Sequence, residues 1–209
     1  MKIINEAWEK RVSETSAHIK INQWLGSIND LNSFYDLCIR DNNFENKTVI
    51  DYGIGGGYLG LYLFQNKGIK KYIGYDVAKR SIIATEKNLK EFENKELIYI
   101  EDVPDFKKAD YFISIAVIQH FPTKDYLDEF LDKLNKSGCK NIILQVRDGK
   151  TEFRKDVYKT TDSIAWACHT NEDYINERLT NYTLTYNSGV VNKAKSKILQ
   201  YKIKGKKNV

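Results

Sequence analysis

The stretch Asp51-Tyr52-Gly53-Ile54-Gly55-Gly56-Gly57 joins an acid to four glycines in the space of seven residues. The apolar pair Val49-Ile50 precedes it, and Leu59, Leu61, Leu63 and Phe64 follow. That order reads as a buried strand, a tight turn and a helix that starts at once. Glycine takes positive φ without strain and lets a ligand approach the main chain with no Cβ in the way. The helix N-terminus adds N–H groups for a carboxylate or phosphate. Together these make the ligand-side turn of an α/β fold. A second acid, Asp76, closes the next apolar run, Lys71-Tyr72-Ile73-Gly74-Tyr75. A carboxylate at such a strand tip can accept hydrogen bonds from both hydroxyls of a ribose. His120 follows a third run, Asp110 to Ile118. Its ordinary pKa of about 6.5 suits a general base near neutrality, and the same imidazole can instead position a substrate. Arg147 ends the run from Asn141. Its guanidinium can hold a carboxylate or phosphate, or pair at the surface with Asp148 or Glu152.

Two ligand classes use a glycine turn of this kind. Gly55, Gly57 and Gly60 fit the dinucleotide spacing G-x-G-x-x-G, a weak signal by itself. Asp51, Gly53, Gly55 and Gly57 fit acid-x-Gly-x-Gly-x-Gly, and here the stretch resembles motif I of the class I S-adenosylmethionine-dependent methyltransferases. This resemblance also employs Asp51, which the dinucleotide reading leaves idle. It extends over roughly residues 45 to 209 and implies S-adenosyl-L-methionine as cofactor, with S-adenosyl-L-homocysteine as product. It further implies that Asp51, Gly53, Gly55, Gly57 and Asp76 bind the cofactor and that Val77 lies against the adenine. Asp102 and Val103 would meet the adenine amino group and a ring nitrogen, with Glu101 as the neighbouring alternative to Asp102. Ala116, late in the fourth strand, belongs to the same cofactor set.

Gln119-His120-Phe121-Pro122 resembles the acid-His-x-Pro of many small-molecule methyltransferases, with Gln119 in place of the acid. By that resemblance His120 faces the methyl acceptor, with His18 and His169 as the next candidates for a base. A helical N-terminal segment commonly covers the cofactor in this family and helps build the acceptor pocket. Trp24, with Trp8, would line that pocket or serve as packing. Trp166 is a further substrate-binding candidate, and Arg147 would hold an anionic group of the acceptor.

The elements that must position these residues follow from periodicity. Ile21, Trp24, Leu25 and Ile28, then Leu31, Phe34, Tyr35, Cys38 and Ile39, recur at helical spacing, so residues 1–45 read as a helical cap. Strands are expected from Val49, from Lys71 to Asp76, from Glu96 to Val103, from Asp110 to Ile118 and from Asn141 to Arg147. Helices are expected between them, one over 78–92 with Ile82, Ile83, Leu89 and Phe92 inward, and another capped by Thr123 and running through Leu134. An insertion falls around 148–180, with a helix from Asn171 to Leu179. Tyr182–Tyr186 and Ile198–Ile203 alternate as a closing antiparallel pair. The expected fold is therefore α/β and Rossmann-like: a seven-stranded, mostly parallel sheet with helices on both faces, in one domain over 1–209 with its core at 46–209.

Composition bounds the function. At 209 residues and 42% hydrophobic the chain can bury a core. Cys38, Cys139 and Cys168 show no paired spacing, which implies neither a disulfide framework nor a zinc site and suits a reducing, cytoplasmic setting. No signal peptide or membrane-spanning run is read, so no membrane partner is expected. The net charge is +5, and seven lysines lie between Lys193 and Lys207. An acceptor among nucleic acids is conceivable through that run but not favoured, since a lysine-rich end is more often a solvated one. Neither proline is followed by cysteine, and Ile-Gln-His-Phe replaces the Asn/Asp-Pro-Pro-aromatic of amino methyltransferases acting on bases or glutamine. Only Asp148 is available as a catechol-type metal carboxylate, so no metal is expected. The leading expectation is methyl transfer to oxygen, or to nitrogen, of a small polar metabolite such as a sugar or nucleotide-sugar. The alternatives are an RNA methyltransferase and an NAD-dependent oxidoreductase.

Overall fold

A computed structural model describes residues 8–9, 28–150, 152–158, 163–191 and 195–205. Trp24 and His18 lie outside the described residues. Two compact units divide the chain, one comprising Met1–Asp102 and Tyr158–Ile164, the other Val103–Val157 and Ala165–Val209. The main sheet has seven strands in the order β3-β2-β1-β4-β5-β9-β8, and a second sheet pairs β6 with β7. The expected Rossmann-like sheet is thus the observed one.

In the first unit, α1 (Ile28–Ile39) precedes β1 (Thr48–Tyr52), α2 (Tyr58–Lys67), β2 (Lys71–Asp76), α3 (Lys79–Asn88) and β3 (Lys95–Tyr99). The three strands are parallel, with Asp51 opposite Gly74 and Asp76 opposite Tyr99. Val49, Ile50 and Tyr72 are fully buried, which is why β1 and β2 read as continuous rather than alternating runs. Gly57 and Gly68, both left-handed, bound α2 at its two ends. Two expectations need correction here. α3 ends at Asn88 rather than Phe92, and Ile83 is 68% exposed, while the buried positions of the helix are Ser81 and Thr85. The helix face turned inward is polar because it bonds to the glycine turn, as described below. β3 also stops at Tyr99, leaving Glu101 and Asp102 exposed in the connection that follows. The Ala78 side chain cannot cap α3; the carboxylate of Glu9 instead accepts from the amides of Lys79 and Arg80.

The second unit holds β4 (Tyr111–Ser114), a 3-10 turn (Ile118–His120), α4 (Lys124–Lys136), β5 (Asn141–Arg147), most of β6 (Glu152–Tyr158) and of β7 (Ser163–His169), α5 (Glu172–Asn176), β8 (Tyr182–Asn187) and β9 (Ser196–Ile203). β4 is shorter than expected. It stops before Ala116, whose φ of 61° turns the chain out of the strand. α5 is likewise shorter than the helix expected over 171–179. Thr123 caps α4 by accepting from the amide of Tyr126 at 3.2 Å. Tyr126, Leu127, Phe130, Leu131 and Leu134 then form its buried stripe. Phe106, Phe112, Phe121 and Phe130 meet mostly edge to face, with centroids 4.8 to 5.8 Å apart. β9 runs antiparallel to both β5 and β8. The insertion expected around 148–180 contains the β6–β7 pair; Trp166 stands in β7, and its side chain lies outside what is described.

Gly60 lets α2 sit close to β2. A Cβ there would come within 2.8 Å of the Tyr72 ring and 3.1 Å of Leu89. Alanine would gain about 0.5–1 kcal/mol of helix preference, whereas overpacking costs about 1–3 kcal/mol. Tyr72 is fully buried and its hydroxyl is bound to Asp51, so the ring has nowhere to go and the clash dominates. Gly60→Ala is therefore expected to lower the urea midpoint; an unchanged or raised midpoint would show that the ring moves aside.

Candidate active site

The glycine turn after β1 is tied down from three sides. The amides of Gly53 and Ile54 donate to the carbonyl of Tyr75 at 2.8 and 3.2 Å. The amide of Gly55 donates to Oδ2 of Asp76 at 2.9 Å. From α3, Thr85 Oγ1 donates to the carbonyl of Gly55 at 3.1 Å and Asn88 Nδ2 to that of Gly56 at 2.8 Å. Gly53, Gly55 and Gly57 all have positive φ, at 84°, 54° and 76°. Their surroundings differ. A Cβ on Gly57 would strike Thr85 at 2.6 Å, whereas one on Gly55 would meet nothing within 4 Å. Gly57 is thus needed for packing, whereas at Gly55 it is the positive φ and not crowding that favours glycine.

Two carboxyls lie beneath this turn. Asp51, 3% exposed, accepts from the Tyr72 hydroxyl at 2.6 Å. Asp76, 8% exposed, accepts from Gly55 on one oxygen and from the amide of Ala78, at 2.8 Å, on the other. Burial, with a smaller push from the charge of Asp76, raises Asp51 to about 7 against the pull of the Tyr72 hydrogen bond. Burial likewise pushes Asp76 up to about 6, held back by the amides of Ala78 and Gly55 and by the Ser81 hydroxyl. Among the described residues no Lys or Arg forms an ion pair with either. Val77 is half-buried beside Asp76.

In the second unit, Ala116 is exposed and its amide donates to Oε1 of Gln145 on β5 at 2.8 Å. The 3-10 turn that follows is closed by the amides of His120 and Phe121, on the carbonyls of Val117 and Ile118. This leaves the His120 side chain half-buried at the turn's end. Arg147 is half-buried at the end of β5, and no ion pair forms at its guanidinium among the described residues. Both expected surface partners are engaged elsewhere, Asp148 with Lys197 at 3.0 Å and Glu152 with His169 at 3.8 Å. Val103 is buried.

A family model described as a methyltransferase domain matches residues 43–203. The chain belongs to the methyltransferase domain family. Its fold is that of the Rossmann-like methyltransferases. Among solved structures, the methyltransferase superposes on the DhpI–SAH complex at a TM-score of 0.69 and 14% identity, covering 99% of this chain and 100% of that one. On the 1,6-didemethyltoxoflavin-N1-methyltransferase of Burkholderia thailandensis the TM-score is 0.68 at 11% identity, covering 98% and 88%. On the magnesium protoporphyrin IX methyltransferase of Synechocystis PCC 6803, with bound SAH, it is 0.65 at 16%, covering 85% and 83%. These likenesses establish the fold. Curated relatives are matched over only part of their length. The ribosomal protein L11 methyltransferase of Shewanella woodyi is 32% identical over 46% of this chain and 33% of its own. The nonribosomal peptide synthetase dtxS1 of Metarhizium robertsii is 22% identical over 57% of this chain and 2% of its own.

The residues present fit S-adenosylmethionine, the cofactor that the sequence resemblance implies. The open space above Gly55 is the cradle that a Cβ would fill, and Asp76 offers a carboxylate at the tip of β2. What the sequence reading missed is the support beneath: Tyr72 under Asp51, and Ser81, Thr85 and Asn88 under the turn. The signal was there, since Ser81, Thr85 and Asn88 are spaced i, i+4, i+7 and make one polar face of α3.

The buried carboxyl of Asp51 sets a pH dependence in the free methyltransferase. Its pKa is raised on folding, so its contribution to stability is full below the ordinary carboxylate value near 3.9. That contribution is lost as the pH rises through about 7. Asp51→Asn removes the titration. Melting curves of the two proteins are expected to diverge between pH 4 and 7, with wild type losing ground to the variant as the pH rises. Parallel curves would mean that Asp51 titrates normally.

Proposed function

We propose that this methyltransferase transfers a methyl group from S-adenosylmethionine to an oxygen, or a nitrogen, of a small polar metabolite that carries an anionic group, of the sugar or nucleotide-sugar kind. The observation that carries the substrate class is Arg147. Arg147 is half-buried and forms no ion pair among the described residues, while neighbouring Asp148 is paired with Lys197. Such a group suits a carboxylate or phosphate of the acceptor. Two of the structural neighbours are named for small-molecule substrates, magnesium protoporphyrin IX and 1,6-didemethyltoxoflavin. The RNA reading gains little, since Lys197 is paired with Asp148 and Lys204 donates to the carbonyl of Thr180.

When bound, the cofactor supplies an electrophilic methyl on a sulfonium. The chain's own residues do the rest. The glycine turn and Asp76 hold the methionine and ribose parts, with Asp51 beneath, and Val77, Asp102, Val103 and Ala116 complete the cofactor contacts. Arg147 orients the acceptor, and His120 takes the proton from its hydroxyl. Trp24 and Trp166 remain candidates for the acceptor pocket.

Calorimetry tests the cofactor side. S-adenosylmethionine and S-adenosylhomocysteine are expected to bind and NAD not to; Gly55→Val is expected to abolish that binding. Part of the Gly55→Val cost is strain at φ 54°, so its melting temperature is read beside it. A folded Gly55→Val protein with wild-type affinity would remove the turn from the cofactor site.

His120→Asn is expected to lower turnover by about 10²–10⁴-fold, the range for a positioned base, with cofactor affinity nearly unchanged. The limb of the rate profile near neutrality should vanish with it. A raised KM with the limb retained would make His120 a positioning group.

A further inference from the structure

Tyr72, Gly74 and Asp76 alternate along β2 and so share one face, and Asp51 stands opposite Gly74 on β1. The Tyr72 ring lies across the gap that Gly74 leaves: a Cβ on Gly74 would come within 3.0 Å of it. Gly60 of α2 approaches the same ring, and Phe64 is tilted against it at 6.2 Å between centroids. Two glycines thus make room for one fully buried ring, whose hydroxyl reaches Asp51 at 2.6 Å. Phenylalanine would fill the space with no polar atom to bury. Replacing both partners of a buried polar pair by apolar groups can be neutral or stabilising, so core packing does not account for the hydroxyl. Tyr72 is the only side chain that donates to Asp51 among the described residues, and it takes Oδ2. Oδ1 is left without a donor. The one fully buried side-chain oxygen without a partner among these residues is Oε1 of Gln119, so Oδ1 of Asp51, unpaired as well, keeps contact with solvent.

We propose that Tyr72 is a positioning residue for cofactor binding: its hydroxyl, fixed by the packing around its ring, holds Asp51 as the carboxylate that receives a cationic group of S-adenosylmethionine. The proposal rests on the cofactor reading of this turn and goes beyond it by giving a role to a side chain that touches no ligand. The hydroxyl engages one oxygen and leaves the other for the ligand. A donor favours the charged form of a carboxyl, and so does a cation, so hydroxyl and ligand act in the same direction. The titratable groups that face Asp51 are Tyr72 and Asp76 from β2 and Tyr35 from α1. Burial, and then the charge of Asp51, pushes both phenols well above their ordinary value, so the carboxyls are the groups that titrate near neutrality. Burial raises Asp51 as well. A cationic ligand that requires its ionised form therefore binds more weakly as the pH falls below that raised value, and releases a proton on binding. Without the hydroxyl that value moves higher still.

The experiment titrates S-adenosylhomocysteine, which keeps the ammonium, by calorimetry into wild type, Tyr72→Phe, Asp51→Asn and the double variant between pH 6 and 9. Tyr72→Phe is expected to bind about tenfold more weakly than wild type at pH 7 and to approach it by pH 9. In the Asp51→Asn background the same change is expected to move affinity by less than about twofold, because the hydroxyl acts through the carboxylate. Titrations in two buffers of different ionisation enthalpy are expected to show Tyr72→Phe releasing more protons on binding at pH 7 than wild type does. At pH 5, where Asp51 holds its own proton, Tyr72→Phe is expected to melt within a few degrees of wild type. A Tyr72→Phe protein that binds like wild type throughout would overturn the proposal. So would a loss that is the same at every pH, or one that persists in the Asp51→Asn background. A variant unfolded at pH 5 would also overturn it, since the hydroxyl would then serve the fold. Failure of wild type to bind S-adenosylhomocysteine would instead remove the cofactor reading itself, and this inference with it.

Discussion

Asp76 ends β2 with one carboxylate oxygen on the amide of Gly55 and the other on the amide of Ala78. A carboxylate buried this deeply must be given donors or a proton, and here the main chain provides the donors. The two amides belong to different segments. One lies in the glycine turn after β1 and the other at the start of α3, so a single side chain fixes the turn relative to the helix. Hydrogen bonds to a charged acceptor contribute about 1.5–3 kcal/mol each. That is enough to hold three left-handed glycines, each of which surrenders more backbone freedom on folding than any other residue.

α3 completes the arrangement and explains its own departure from the expected pattern. A helix packed by apolar contacts alone would have turned Ile82 and Ile83 inward. Instead Ser81, Thr85 and Asn88 face the turn and satisfy Asp76 and the carbonyls of Gly55 and Gly56, while Ile83 is left in solvent. The turn's carbonyls have no sheet partner of their own, and the polar face of α3 supplies their donors.

Most of the sheet was legible in the sequence because β1, β2, β4 and β5, buried on both faces, are nearly continuous apolar runs, the first two with an acid at the end. The places where the reading went wrong share a cause: local propensity cannot see hydrogen bonds made to distant residues. The fourth strand is apolar through Ile118, yet it ends at Ser114, because the amide of Ala116 leaves the ladder for Gln145, 29 residues away. The start of α3 offers no side-chain cap, and its cap comes from Glu9, about 70 residues earlier in the chain. Asp51 and Asp76 were visible as acid-tipped strand ends. That Asp76 would serve the turn before it served any ligand was not, since spacing gives the position of a carboxylate and not the amides around it. On the acceptor side, Gln119 drew notice as a departure from a pattern, and its burial could not be read from type alone.

The same hydrogen bonds weigh the two ligand classes that the glycine spacing left open. In a G-x-G-x-x-G turn the second glycine is there so that a pyrophosphate can approach the backbone, and the turn's amides point at the phosphates. Gly57 occupies that second position, and the space its Cβ would take is filled by Thr85. Its amide donates to the carbonyl of Ile54 at 2.8 Å, and the amide of Gly55 is already given to Asp76. An anionic pyrophosphate would therefore find no room at Gly57, no free amide at either glycine, and two buried carboxyls beneath them. A ligand with positive charge meets the opposite situation. Asp51 and Asp76 are both held above the ordinary carboxylate range by burial, and no Lys or Arg pairs with them among the described residues. A nearby cation favours their ionised forms and recovers part of the cost of burying them. S-adenosylmethionine carries both an ammonium and a sulfonium, so the electrostatics of the turn favour it over a dinucleotide on grounds independent of the motif.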